Sequence, residues 1–252
     1  MPNWGRASLS TNGRRVEQFS CAPLQWLGPV DPRAERWVFY LRNPNGGLLH
    51  GDRHQIQIHL EQGTHLEIRS QGATRVHPGS SQQTLEIHLQ PASSLILIPH
   101  PLIPGSDADF HQSVHIHLAP GSRLAFGDLW TAGRLGMGEA WQFQRLRNQV
   151  QIFWDGQLCW SENLDLRPHH TPWIASPSIL GDYPCWGSLY VFGDWGQINW
   201  PEDETHWHLQ RPQGQILRCV GYNSLDLWQS FQEIVNPLGS RLDLGKTAGP
   251  GV

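Results

Sequence analysis

The chain has 252 residues, and its 18 basic and 22 acidic side chains, scattered without runs, give a formal charge of -4. That length can bury a sizeable core, and the lack of a basic stripe argues against nucleic acid or an anionic membrane as partner. With 26 Gly, 19 Pro, 13 Trp and 14 His, the composition fits short strands and many turns rather than long helices.

The N-terminal stretch MPNWGRASLSTNGRR has no apolar core of signal-peptide length. No later stretch approaches the roughly 20 apolar residues that span a bilayer, so a soluble, cytoplasmic protein is expected. Cys21, Cys159, Cys185 and Cys219 are far apart and form no CxxC, so spacing encodes neither a zinc site nor a redox pair.

The middle of the chain says one thing three times. IQIHLEQGTHLEI from Ile56, LEIHLQPASSLIL from Leu85 and VHIHLAPGSRLAF from Val114 each read as strand, polar turn, strand, and are expected to be hairpins. Apolar residues alternate with polar ones, which puts His59, His88 and His117 on the polar face. The period is constant at 29 residues, the sign of stacked supersecondary units, and predicts a mainly β fold of the β-helix or solenoid type. A degraded fourth copy follows in VQIFWDGQLCW, Val150 to Trp160, with Asp155-Gly156 as a tight hairpin signal. If equivalent strands are neighbours, the three histidines stand about 4.8 Å apart in a column. Such a column is a candidate for a divalent metal, and equally what a solvated sheet face requires.

The segments between copies, Arg69 to Thr84 and Ile98 to Ser113, read as turn-rich connections, and Pro99, Pro101 and Pro104 exclude a helix in the second. GDLWTAGRLGMGEAW imitates a phosphate loop without the Lys-Ser/Thr pair, and Gly245-Lys246-Thr247 imitates Walker A with Ser240 where its first glycine belongs. A helix is expected over SLDLWQSFQEIVNP, with Ser224 as N-cap, Leu225, Trp228, Phe231 and Val235 on its apolar side, and Pro237 with Gly239 as its stop. Residues 245–252 read as a mobile tail behind a single β domain of residues 1–244.

Three blocks, NPNGGLLHGD (Asn43 to Asp52), QGATRVHPG (Gln71 to Gly79) and GDLWTAGRLGMGEAW (Gly127 to Trp141), in this order and spacing, resemble the urease accessory protein family UreD, also called UreH. APLQWLGP, LCWSENLDL and ILRCVGYN followed by a helix extend the resemblance over most of the chain. The motif residues are Gly46, Gly47 and Gly51 in GGLxxGD, and Gly133, Arg134, Gly138 and Glu139 in GRxxxGE. Departures are Arg69-Ser70, where the family often has a Thr-Thr pair, and Arg75 in place of the usual lysine.

The resemblance implies a non-enzymatic assembly factor that binds UreF, through it recruits the nickel-carrying GTPase UreG, and contacts the urease apoprotein while its dinuclear site is filled. It implies no tightly bound cofactor, only transient Ni²⁺. Weak, releasable binding favours carboxylates, carbonyls and water over thiolates or histidine clusters. Asp52, Thr74, Asp128 and Glu162 match positions proposed to line an internal passage in this family. Taken singly, each also has a plainer reading: Asp52 and Asp128 as turn residues, Arg134 with Glu139 as a buried pair, Thr74 and Glu162 facing solvent.

Two other readings stand beside it. A cupin-like metal protein would use the HxH of His115/His117 or His206/His208, but the Glu required a few residues later is replaced by Gly121 and Ser122, or Pro212 and Gln213. A carbohydrate-binding β module would expose tryptophans in a shallow groove. No catalytic Ser-His-Asp, Cys-His or paired-carboxylate spacing is present. A partner surface is expected in the C-terminal half, including the Trp228 helix and Trp186 to Trp200.

Overall fold

The computed structural model describes residues 4–12, 15–30, 36–170 and 180–244, with side chains to residue 239; the tail expected over 245–252 lies outside them. In chain order the strands are β1 (Trp4–Asn12), β2 (Arg15–Cys21), β3 (Gln25–Leu27), β4 (Trp37–Arg42), β5 (Gly47–Leu48), β6 (Arg53–Leu60), β7 (His65–Ser70), β8 (Thr74–Val76), β9 (Gly79–Leu89), β10 (Ser94–Leu97), β11 (Leu102–Pro104), β12 (Ala108–Leu118), β13 (Arg123–Thr131), β14 (Arg145–Trp154), β15 (Gln157–Leu166), β16 (Cys185–Phe192), β17 (His206–Arg211) and β18 (Gly214–Gly221). One helix, α1 (Ser224–Leu244), follows. The chain is mainly β with a C-terminal helix.

One sheet runs β15-β14-β12-β9-β6-β1-β2, and the other β17-β18-β16-β13-β10-β7-β4-β3, with β5, β8 and β11 beside it. The three repeats are not hairpins: the first strand of each lies in one sheet and the second in the other. Each strand pairs in parallel with its equivalent 29 residues on, as in Ile58↔Ile87↔Ile116 and Leu66↔Leu95↔Leu124. The physical reason is the apolar face on both strands of a unit. Arching over the turn lays those two faces against each other across a core, whereas a hairpin would leave them on one side of one sheet.

The turns share a build. Their third residue is left-handed, at φ 71° in Gly63, 59° in Ala92 and 79° in Gly121. Their fourth bears a hydroxyl, and Thr64, Ser93 and Ser122 donate it to the carbonyls of Glu61, Gln90 and Ala119 at 2.6 to 2.7 Å. The fourth copy departs where its turn changes. Asp155 and Gly156, at φ 51° and 75°, make a two-residue hairpin, so β15 returns antiparallel to β14 and closes the parallel series.

The segments read as connections carry structure. β9 and β12 begin at Gly79 and Ala108, six residues before the repeats that the sequence displayed, and β8 and β11 lie within those segments. Pro237 does not stop the helix but sits inside α1, and Asn223 rather than Ser224 caps it, its Oδ1 accepting from Leu225 N at 2.9 Å. Leu227, Phe231, Ile234, Val235 and Leu238 bury against the outer face of the second sheet, so packing outweighs the one helical bond a proline forfeits. Leu225, expected on the apolar side, is half exposed.

Candidate functional site

On the inner face of the first sheet, in-register rows cross β6, β9, β12 and β14. Three are apolar: Ile56-Leu85-Val114-Val150, Ile58-Ile87-Ile116-Ile152 and Leu60-Leu89-Leu118-Trp154. The next row is polar: His54-Gln83-Gln112-Asn148. In the second sheet, Asp128 of β13 and Ser188 of β16 follow the apolar pair Phe126 and Tyr190 in the same way. Polar row therefore faces polar row. Beyond them the interior becomes apolar again at Phe110, Trp130, Leu146 and Trp186.

Amides join the layer. Gln83 Nε2 donates to Gln112 Oε1 at 3.1 Å, Gln112 Nε2 to Asp128 Oδ1 at 3.1 Å, and Asn148 Nδ2 to Asp128 Oδ2 at 2.5 Å. Asp128 is thus a mid-strand carboxylate held by amides, not a turn residue. Burial pushes its carboxyl up to about 6, the negative charge of Glu162 adds to that, and hydrogen bonds from Trp130, Asn148 and Gln112 oppose it. Its hydrogen-bond partners are all neutral, so no positive side chain compensates the carboxylate when it is ionised.

Glu162 reaches across from β15. Its Oε2 accepts the Tyr190 hydroxyl at 2.8 Å and lies 3.0 Å from Arg218 Nη2. Burial and the nearby Glu162 and Asp128 charges hold the Tyr190 phenol well above its usual range. Glu162 is mostly covered rather than solvent-facing, its side chain 18% exposed.

A cavity of about 120 Å³ opens beside this layer, lined by Thr74, Asp128, Gln112, Gln83, His54 and Trp26 among others. Thr74 and Asp128 are therefore brought to one space. Leu41, Arg42, Asn43, Ser70 and Thr74 also line a second recess of about 360 Å³ that includes Gly46 and Gly47, so the GGLxxGD block borders a recess that shares its wall with the cavity. Asp52 does not line the cavity; its Oδ2 accepts from Leu49 N at 2.9 Å in the turn opening β6, as the plainer reading required, yet the side chain is buried. It stands 3.9 Å from His54 Nε2. Burial, the larger influence, lowers the His54 pKa against the opposing pull of Asp52, which leaves the imidazole neutral.

The motif glycines serve close approach. A Cβ on Gly47 would come within 2.0 Å of the Arg75 carbonyl oxygen, and one on Gly133 within 2.0 Å of that of Glu139. Gly46, Gly51 and Gly138 take positive φ at their turns. Arg134 Nε donates to Glu139 Oε2 at 2.7 Å, and its second nitrogen pairs with Oε1. This pair, expected to be buried, is only partly so: the Arg134 side chain is 44% exposed, while that of Glu139 is 17% exposed.

The histidine column exists and lies outside. His59, His88 and His117 are in register, and their ring centroids are 5.9 and 4.5 Å apart, with Phe153 completing the stack at 4.8 Å. Stacked rings hold their nitrogens in parallel planes instead of converging them. Among the described residues no group of three or more His, Cys, Asp or Glu is placed to hold a metal, at this column or at either HxH. The first half of the tryptophan-rich segment is core, with Trp186, Tyr190 and Phe192 buried in β16, which is covered on both faces; beyond it Trp195 is buried, Trp200 is half-buried, and Asp194, Gly196, Gln197 and Asn199 are exposed. Trp228 stacks on His100 at 4.4 Å.

Gln83, Gln112, Asn148, His54 and Tyr190 were not picked out from the sequence. A signal existed, because 54, 83 and 112 repeat the spacing of 29.

The molecule is thus a two-sheet, mainly β protein with a C-terminal helix, enclosing a carboxylate-bearing polar layer beside a small cavity. The chain belongs to the UreD urease accessory protein family, whose description matches residues 5–250. It is 46% identical over 247 residues to "Urease accessory protein UreD 2" of Synechococcus sp. (strain JA-3-3Ab), covering 90% of each chain. It is 44% identical over 257 residues to "Urease accessory protein UreD" of Synechococcus sp. (strain JA-2-3B'a(2-13)), covering 92% of this chain and 94% of the relative. It is 27% identical over 188 residues to "Urease accessory protein UreH" of Helicobacter hepaticus, covering 73% and 74%. No helix among the described residues is long and apolar enough to cross a membrane.

Proposed function

We propose that the chain is a non-catalytic, cytoplasmic maturation factor for urease. It binds UreF and the urease apoprotein, and it conducts nickel, delivered by the GTPase UreG through UreF, toward the dinuclear nickel site. Residues 1–244 act as one β unit whose parallel part stacks like a short β-helix, and nickel is a transient cargo rather than a resident cofactor. One observation carries the reading beyond family membership: the buried Asp128 carboxylate, held by the neutral donors of Gln112, Asn148 and Trp130, faces a cavity that it shares with Thr74. Glu162 continues the polar path through Tyr190, and Asp52 extends it toward His54. A buried carboxylate with no cation is costly in a dry core, so a wet passage is its favourable setting.

The test is co-purification with UreF and UreG, followed by urease activation with Asp52→Ala, Asp128→Asn and Glu162→Ala beside wild type. Intact assembly with activation reduced at least tenfold is expected for Asp128→Asn. A wild-type chain that captures neither partner and activates nothing would overturn the proposal.

A further inference from the structure

Basic residues are scattered along the chain, but the first sheet gathers three of them on its outer face. Trp4, Arg6, Arg53 and Arg147 point outward, since in-register pairing puts them on the same side of the pleat as His59, His88 and His117. Trp4 is 43% exposed, and its ring lies near two guanidinium groups, with the central carbons of Arg53 and Arg6 at 5.3 and 5.8 Å from its centroid. A ring held by two cations fixes three side chains in one platform before anything binds, which lowers the ordering cost of binding.

The charges on this platform are not answered within the chain. Among the described residues Arg6, Arg53 and Arg147 have no ion-pair partner, and Arg6 and Arg53 are exposed. Carboxylates on the same face are already held. Asp165 pairs with Arg145 and Arg167, Glu86 accepts from Gln57 and meets His88, and Asp109 lies in register with Arg145. One exposed arginine is ordinary, but three unpaired ones on one face of a chain with a formal charge of -4 make a local positive field.

Spacing decides what that field can receive. Arg53 and Arg147 share the rung Trp4-Arg53-Gln82-His111-Arg147, and the strand steps of about 4.8 Å between them put them about 14 Å apart. At about 1.5 Å per residue, carboxylates about nine residues apart on a helix match that distance. A phosphate backbone, with a charge about every 1.7 Å, would set phosphates against Asp109, Asp165 and Glu86, whereas discrete carboxylates can avoid them.

We propose that this outer face docks an acidic helical segment of a protein partner, laid across the strands, with its carboxylates on Arg6, Arg53 and Arg147 and an apolar side chain over Trp4. Guanidinium forks receive carboxylates bidentately, which gives the contact geometry as well as charge. The face lies on the opposite side of the sheet from the interior polar layer, so the inference stands independently of the passage reading.

The experiment is a fluorescence anisotropy titration of the full chain with a fluorescein-labelled helical peptide of alanine and glutamate carrying one central phenylalanine. Saturable binding to wild type is expected, weakened about tenfold in the Arg6→Gln, Arg53→Gln double variant and less in Trp4→Ala. Arg75→Gln, at an exposed position on β8, should leave it unchanged. Raising the salt from about 0.05 to about 0.3 M should weaken wild-type binding and have less effect on the double variant. No binding by wild type, unchanged binding in the double variant, or an equal loss in Arg75→Gln would overturn the proposal. Binding to vesicles of phosphatidylserine and phosphatidylcholine in place of the peptide, sensitive to the same substitutions, would assign the face to a lipid surface and overturn it as well.

Discussion

Two polar columns cross the same four strands with the same spacing and have opposite fates. His59-His88-His117-Phe153 stands on the outer face of the first sheet, and His54-Gln83-Gln112-Asn148 on the inner face. They are five residues apart along each of β6, β9 and β12, an odd number, which puts them on opposite sides of the pleat. Outside, water solvates the rings and the neighbouring Glu61 and Glu86, and the column need only be tolerated. Inside, each amide must find a partner, and the chain supplies one in Asp128. Burial, not residue type, converts a repeated polar position into a site.

The sharpest way to break this contrast is through the titration of Asp128. Its folded pKa of about 6 lies above the ordinary 3.8, so between about pH 4 and 6 the native chain keeps a proton that the unfolded chain has lost. Stability from this group is therefore lost as pH rises through that window and stays lower above it, by about 3 kcal/mol. Asp128→Asn removes the effect: its urea midpoint should gain on that of wild type between pH 4 and 7 by the equivalent of about 3 kcal/mol. Parallel profiles would mean that the carboxylate is hydrated like a surface one.

Gln112→Leu comes next. It takes a donor from Asp128 and Asn148 and an acceptor from Gln83, so a loss of about 2 kcal/mol is expected in urea unfolding at pH 7. A change below about 0.5 kcal/mol would show that the inner row is as dispensable as the outer one. The smallest effect belongs to the outer column itself. His59→Thr, His88→Thr and His117→Thr together should shift stability by less than about 1 kcal/mol and leave calorimetric Ni²⁺ binding unchanged, since the ring nitrogens do not converge. A lost nickel isotherm in this triple variant would make the outer column the metal site.

Particular residues show what was legible. The outer histidines announced themselves because the polar-His-apolar pattern repeats in three well-matched strands. The same spacing relates His54, Gln83 and Gln112, but Gln83 and Gln112 fall in turn-rich stretches, and glutamine carries no pattern signal of its own. Asp155-Gly156 was readable as a hairpin because two left-handed residues leave a chain few alternatives. EQGT, QPAS and APGS were not readable as arches, because a four-residue polar turn serves either a hairpin or a crossing between sheets. The passage candidates came from family motifs, and only the coordinates show that Thr74 and Asp128 share a cavity while Asp52 stands behind its wall.

By itself the sequence determined the period, the alternation of faces and the existence of the final helix, all of which are local regularities of side-chain chemistry. The tertiary structure decided which strands pair, that two polar rows meet between the sheets, and that an aspartate there is buried. Those outcomes depend on contacts between residues far apart in the chain, such as Asp128 with Asn148 and Tyr190 with Glu162, and no local pattern encodes the low dielectric that gives them their energy.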